Sequence, residues 1–112
     1  MNLMRGVESV GEVTAVGLRV SGIRVGDVVA CAASSTGAYA EEQIIAATKV
    51  VPLPPSIHPV VAASVMLKGM TARYLLRKCF RLGRDRSVLV HAAAGGTGSL
   101  LCQWGDSIQD SY

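Results

Sequence analysis

Six residues late in the sequence, Ala93-Ala94-Gly95-Gly96-Thr97-Gly98, have the spacing A-x-G-x-x-G. They follow the apolar run Val88-Leu89-Val90 and open an apolar, helix-like stretch. In that setting such glycines cradle the pyrophosphate of a dinucleotide. Gly95 lets the main chain approach a phosphate with no Cβ in the way, and Gly98 permits close packing of helix on strand. The amides of Gly96, Thr97 and Gly98 then point at phosphate oxygens, helped by the positive end of the helix. Ala93 stands where the first glycine is expected and is tolerated if its φ is negative. No Lys-Ser/Thr pair follows, so this is not a nucleotide P-loop. Taken alone it is a weak motif, and a plain glycine turn is the competing reading.

The elements that must position the turn come in a definite order. The first half reads as β structure, with strands expected over Glu12–Val16, Asp27–Ala33, Gly37–Ala47 and Lys49–Pro54. Gly11, Gly17, Gly22, Gly26 and Gly37 punctuate them at turn-like places. The run "PLPPSIHP" then marks a boundary, because prolines remove donors and fix φ. Ser56 is placed to cap a helix starting near Pro59. His58 reads as a surface turn residue.

Helical composition runs from Pro59 to Phe80. On a single wheel Met66 and Met70 share a side with Arg73 and Arg77, opposite Ala72, Leu75, Leu76 and Cys79. The conflict predicts a break at Lys68-Gly69-Met70, with Thr71 capping a second helix that buries Ala72, Leu75, Leu76 and Cys79. Lys68 either approaches a bound cofactor or snorkels to solvent. Val88–Val90 is expected to be a strand buried on both faces. His91, at its end, reads as a packed or capping residue more than as an acid–base group. Cys102 reads as packing on the buried side of a short helix, and Tyr39 as packing on a strand.

Composition bounds the possibilities. The 112 residues are 50% hydrophobic and 17% charged, enough for a core of one small domain. No run of about 18 apolar residues exists to span a membrane, and no secretion signal opens the chain. The three cysteines form no C-x-x-C pair and no Cys/His cluster, against a disulfide scaffold or structural zinc. A reducing, cytoplasmic setting is expected. Seven of the eleven basic residues fall between positions 68 and 86, but no aromatic residues interleave with them as nucleic-acid stacking platforms. They read as a solvated face.

Several segments, "GVESVGEVTAVG", "VGDVVA", "GAYAEEQII", "KVVPLPPSI", "MLKGMTARYLL" and "VLVHAAAGGTGSLLCQW", together resemble the zeta-crystallin-like NADPH:quinone oxidoreductases. These form the zinc-free branch of the medium-chain dehydrogenase/reductase superfamily, and the likeness is to plant-type members. The resemblance covers residues 6 to 104. It implies an α/β chain: a partial GroES-like β-barrel over residues 1–55, then connecting helices and the first strand-turn-helix of a Rossmann fold over 56–112. It implies NADPH as cofactor, a quinone or activated alkene as acceptor, and, as often in that family, a homodimer. The diphosphate contacts of the family carry over to Ala94, Gly95, Gly96, Thr97 and Gly98. Its nicotinamide-side segment carries over to Lys68, Gly69 and Thr71. Val7 stands where zinc-dependent relatives carry a histidine, and no Cys-rich lobe follows Cys31, so no metal is expected. No catalytic acid or base is assigned.

The chain also departs from the family. Members begin well before this sequence does, and after Trp104 the helix runs into "GDSIQDSY". Gly105 and Asp106 are expected to weaken it. Only 14 residues follow Gly98, too few to reach the residue that holds the adenosine ribose about 20 positions on. Two readings therefore stand at this point: an NADPH-dependent quinone oxidoreductase, and a truncated, non-catalytic remnant that at most binds a partner.

Overall fold

The computed structural model describes residues 6–32 and 37–110. The chain divides into two compact units, Met1–Met66 and Leu67–Tyr112. In the first, three strands form one antiparallel sheet in the order β1-β2-β3: β1 is Glu8–Glu12, β2 Val28–Ala32 and β3 Val50–Pro52. The valine-rich β2 is central, and its Ala30 and Cys31 are buried. Its register sets the others: Val10 faces Ala30, and Val29 faces Pro52. Pro52 ends an edge strand, where the missing N–H is harmless. The turn before β2 is closed by Arg24 N–H, which donates to Asp27 Oδ2 at 2.8 Å, and by Gly26 at φ +91°. Only a residue without Cβ takes that φ at no cost.

Two expected strands differ. The first lies at Glu8–Glu12, not Glu12–Val16, because pairing with β2 decides the register. Val13 still bonds Asp27 and Gly26 through its main chain, and Thr14–Val16 beyond it are exposed. The stretch Gly37–Ala47 forms no strand, since Glu41-Glu42-Gln43 breaks the alternation a half-buried strand needs. Tyr39, expected to pack, is 84% exposed. This stretch is tied down by Gln43 Nε2, which donates to Ser9 Oγ at 2.6 Å, and by Gly37 N–H bonding Gly6 O. Ala33 lies outside the described residues.

Helix α1, Pro59–Tyr74, begins in the first unit and ends in the second. Its cap is His58 rather than Ser56: Pro59 takes the first helical position, and Nδ1 of His58 accepts Val60 N–H at 3.3 Å. The helix does not break at Lys68-Gly69-Met70. A glycine there costs only about 1 kcal/mol against alanine, less than interrupting the ladder. Thr71 Oγ1 donates back to Leu67 O at 2.8 Å, satisfied inside the helix instead of capping a new one. The polarity conflict is settled by exposing Met70 beside Arg73.

The irregularity comes one turn later, as a π-helical turn over Leu75–Cys79, closed by Phe80 N–H to Leu75 O at 3.0 Å. The wider turn rotates the apolar stripe. Ala72 and Leu76 are buried as expected, but Leu75 and Cys79 are exposed, and Leu82 completes the packed set instead.

Val88–Val90 pairs with no strand among the described residues, and Leu89 is 80% exposed. A parallel strand is held by bonds to neighbours on its edges, and without one the apolar run forms no ladder. Helix α2, Gly96–Asp110, passes through Gly105 and Asp106 without interruption. Gly105 is buried, and a Cβ there would lie 3.6 Å from Leu82 Cδ2, so the glycine sits where side chain meets helix. No helix of the described residues is long and apolar enough to cross a membrane.

Candidate functional site

The glycine turn and the start of α2 form the candidate site. The chain reverses at Ala92, whose φ of +53° makes it the one non-glycine residue with positive φ among those described. Ala92 O accepts Gly95 N–H at 2.9 Å, and Gly95 O accepts Ser99 N–H at 2.8 Å. The second of these bonds is the first step of the α2 ladder, so the amides of Gly96, Thr97 and Gly98 precede it and have no intrahelical acceptor. Ala93 has no positive φ, which meets the condition for an alanine in the place of the first glycine.

Each glycine of the turn has a different neighbour. A Cβ on Gly95 would lie 3.1 Å from Ala92 O. One on Gly98 would strike the Ala92 carbonyl oxygen outright and come within 2.9 Å of Ala93 Cα. One on Gly96 would lie 2.6 Å from Lys68 Cδ and 2.8 Å from its Cε. The lysine stem therefore lies across the bare face of Gly96. Two parts of the candidate site 28 positions apart, the α1 lysine and the glycine turn, are brought together within the second unit.

The other expected residues are placed less tightly. Gly69 is half-buried in α1, and a Cβ there would meet nothing within 4 Å. Thr71 is exposed, its hydroxyl turned back to its own helix. Ala94 is exposed in the turn, Thr97 half-buried and Gly98 buried. His91 is exposed at the head of the turn and not packed. Cys102 is half-buried on a helix of 15 residues, longer than expected. It lines a cavity of about 290 Å³ with Leu82, Val90, Leu101 and Asp106. No residue of the turn or of the lysine segment lines that cavity.

The donor set suits an anionic group. Backbone amides at a helix start can hold a phosphate group, and the carbon stem of Lys68 crosses Gly96 beside them. A Cβ at either Gly95 or Gly98 would crowd the turn that presents those amides. Sequence reasoning missed Ala92 and the π turn. Three alanines in a row give no sign of which one adopts the left-handed backbone.

Comparison with known proteins relates the chain to quinone oxidoreductases. The alcohol dehydrogenase GroES-like domain matches residues 1–55. A quinone oxidoreductase of Pseudomonas aeruginosa is 48% identical over 103 residues, which are 92% of this chain and 32% of the relative. The crystal structure of a Pseudomonas syringae quinone oxidoreductase matches with TM-score 0.91 and 42% identity, over 94% of this chain and 32% of that one. Escherichia coli quinone oxidoreductase, crystallised with NADPH, matches with TM-score 0.90 and 43% identity over the same shares. The chain spans about a third of the length of the curated relatives it matches.

Proposed function

We infer that the chain belongs to the quinone oxidoreductase branch of the medium-chain dehydrogenase/reductase superfamily, with a partial GroES-like domain and the start of a Rossmann fold. On that footing we propose that it serves NADPH-dependent reduction of a small-molecule quinone, or of an activated alkene. Bound NADPH supplies the hydride that such a reduction needs. The residues of this chain hold and orient. Gly96, Thr97 and Gly98 donate their amides to diphosphate oxygens, and Gly95 and Ala94 keep the turn low enough for the phosphates to approach. Lys68 adds its charge at the same turn, while Gly69 and Thr71 form the α1 segment beside the nicotinamide half. Residues 1–55 are the GroES-like part of this arrangement and 56–112 the cofactor part. On the same reading the protein is cytoplasmic and a homodimer.

The observation that carries the proposal is the contact of Lys68 with Gly96 at three amides that no helix bond uses. The Val88–Val90 run, which pairs with no strand among the described residues, and its exposed Leu89 favour a second reading, a chain that binds partner or cofactor without turnover.

One set of measurements separates the two. The purified chain is titrated with NADPH by calorimetry and assayed for quinone-dependent NADPH oxidation. Binding with turnover supports the first reading, and binding without turnover the second. Gly95→Val should abolish binding, and Lys68→Met should weaken it by roughly tenfold, the loss of one charge-assisted contact. Unchanged binding in Gly95→Val would remove the turn from the site.

A further inference from the structure

The basic stretch that ends α1 carries more than charge. No Asp or Glu stands between Glu42 and Asp85, so the sequence itself supplies no nearby carboxylate for Arg73, Arg77, Lys78 and Arg81. All four are exposed. Along the end of α1 and into the π turn, Met70, Arg73, Tyr74, Arg77 and Lys78 recur at spacings of three and four, which sets them on one side. Buried Ala72 and Leu76 hold the other side. The outer side is therefore cationic and apolar at once, with Met70 52% and Tyr74 58% exposed among the charges. Lys68 is not part of it, because its stem lies against Gly96.

That mixture narrows what can cover it. The cations call for an anionic surface, and the exposed methionine and tyrosine call for one that also takes up apolar groups. A bilayer with anionic headgroups offers both a few ångströms apart: basic residues pair with the headgroups while apolar side chains enter the acyl boundary. The long stems of arginine and lysine span that step, apolar below and charged above. A single-stranded nucleic acid offers the phosphates but needs ring planes on which its bases stack. Here Phe80 carries the Arg86 guanidinium over its ring, 5.4 Å from the centre. Tyr74 is the one aromatic residue on the outer side, and Met70 beside it offers no ring plane.

We propose that the outer side of the end of α1 and of the π turn docks on an anionic lipid surface, with Arg73, Arg77 and Lys78 at the headgroups and Met70 and Tyr74 at the acyl boundary. The inference stands apart from the NADPH reading, since none of the residues assigned to the cofactor takes part in it.

Vesicle sedimentation of the full chain is the test. One set of vesicles is phosphatidylcholine alone, the other equal parts of phosphatidylcholine and phosphatidylserine. Binding to the anionic set should be roughly tenfold tighter or more, and that advantage should vanish in about 1 M salt, where charges are screened within about 3 Å. Arg77→Gln combined with Lys78→Gln should weaken anionic binding roughly tenfold or more. Met70→Ser should weaken it a few-fold without changing its salt dependence. Arg19→Gln combined with Arg24→Gln removes the same charge from exposed positions of the first unit and should leave binding nearly unchanged. Equal losses in the two double variants would reduce the effect to net charge and overturn the inference. So would equal binding to both vesicles, binding to neither, or poly(U) or polyglutamate held as tightly as the anionic vesicles at equal charge. Should a variant fail to fold, the wild-type chain on the two vesicles and the two polyanions still decides.

Discussion

Gly96 and Gly98 are two residues apart in one turn, yet a methyl group on each would meet different matter. At Gly96 it would meet Lys68 Cδ and Cε, the outer part of a flexible side chain. At Gly98 it would meet the carbonyl of Ala92 and the main chain of Ala93, which cannot move without unwinding the turn. Gly96→Ala should therefore change stability by less than about 0.5 kcal/mol, since the lysine swings aside and alanine restricts the unfolded chain. Gly98→Ala should cost about 2–3 kcal/mol, as overpacking against fixed backbone does. Urea unfolding of the two variants checks this, and equal costs would show the lysine stem to be as rigid as the backbone. The same contact predicts a functional asymmetry: Gly96→Ala, though stable, displaces Lys68 and weakens NADPH binding. The need for glycine at position 98 was legible in the spacing, where it reads as close packing of helix on strand, and the structure gives the Ala92 carbonyl as the reason. Gly96 is a free position of that pattern, and only the structure shows Lys68 lying against it.

Among the elements, the irregular helix between residues 59 and 79 shows where sequence periodicity stops being informative. The wheel correctly found a conflict between methionines and arginines, but it assumed 100° per residue throughout. Gly69 looked like a break because glycine is poor in helix interiors, and Thr71 looked like the cap of a second helix, yet Thr71 bonds back to Leu67 and both stay within α1. The actual change of pitch lies at Leu75–Cys79, a sequence of ordinary helix formers. Nothing in residue type marks a π turn; its bond from Phe80 N–H to Leu75 O comes with Leu76 and Leu82 buried. Arg86 over the Phe80 ring, 5.4 Å from its centre, holds the chain just beyond.

The π turn also makes a pair that a regular helix would set apart. Tyr74 and Cys79, five residues distant, are hydrogen-bonded, and this bond, with the thiol charge second, raises the phenol above its ordinary 10.0. A raised value means the folded chain keeps the phenolic proton longer than the unfolded chain. The pair's contribution is then complete below about pH 10 and is lost as pH rises through the raised value. Cys79→Ala should bring tyrosinate formation at Tyr74 back to lower pH, read as the ultraviolet difference from Tyr74→Phe. An unchanged titration would mean the pair does not form in solution. The strands were more legible than the helix irregularity: β2 and β3 fell within their predicted ranges. β1 was displaced by four residues because only its partner fixes register.

At the scale of the molecule, the buried set is small. Among the described residues it comprises Ala30, Cys31, Ala62, Ala72, Leu76 and Leu82, and no large side chain is fully enclosed. Meanwhile Leu18 and Ile44 in the first unit are completely exposed, and Leu89 in the second nearly so. Composition alone suggested a sufficient core, since half the residues are hydrophobic. It could not show how many of them find neighbours, because burial depends on which strands pair and which helix faces meet. Denaturant slope scales with the surface newly exposed on unfolding, and a chain that already exposes its large apolar residues has less to expose. The urea m-value should therefore lie at or below the lower end of the roughly 1–3 kcal/mol/M typical of small proteins. A hydrophobic dye should fluoresce with the native chain before any denaturant is added. The exposed aliphatic residues should also make the chain self-associate as concentration rises, which sedimentation velocity measures. Polar substitution at Leu18, Ile44 and Leu89 should reduce both dye binding and association while leaving NADPH affinity unchanged, because none of the three lies in the turn or in the lysine segment. A steep, dye-silent transition in the wild-type chain would contradict this account of its core.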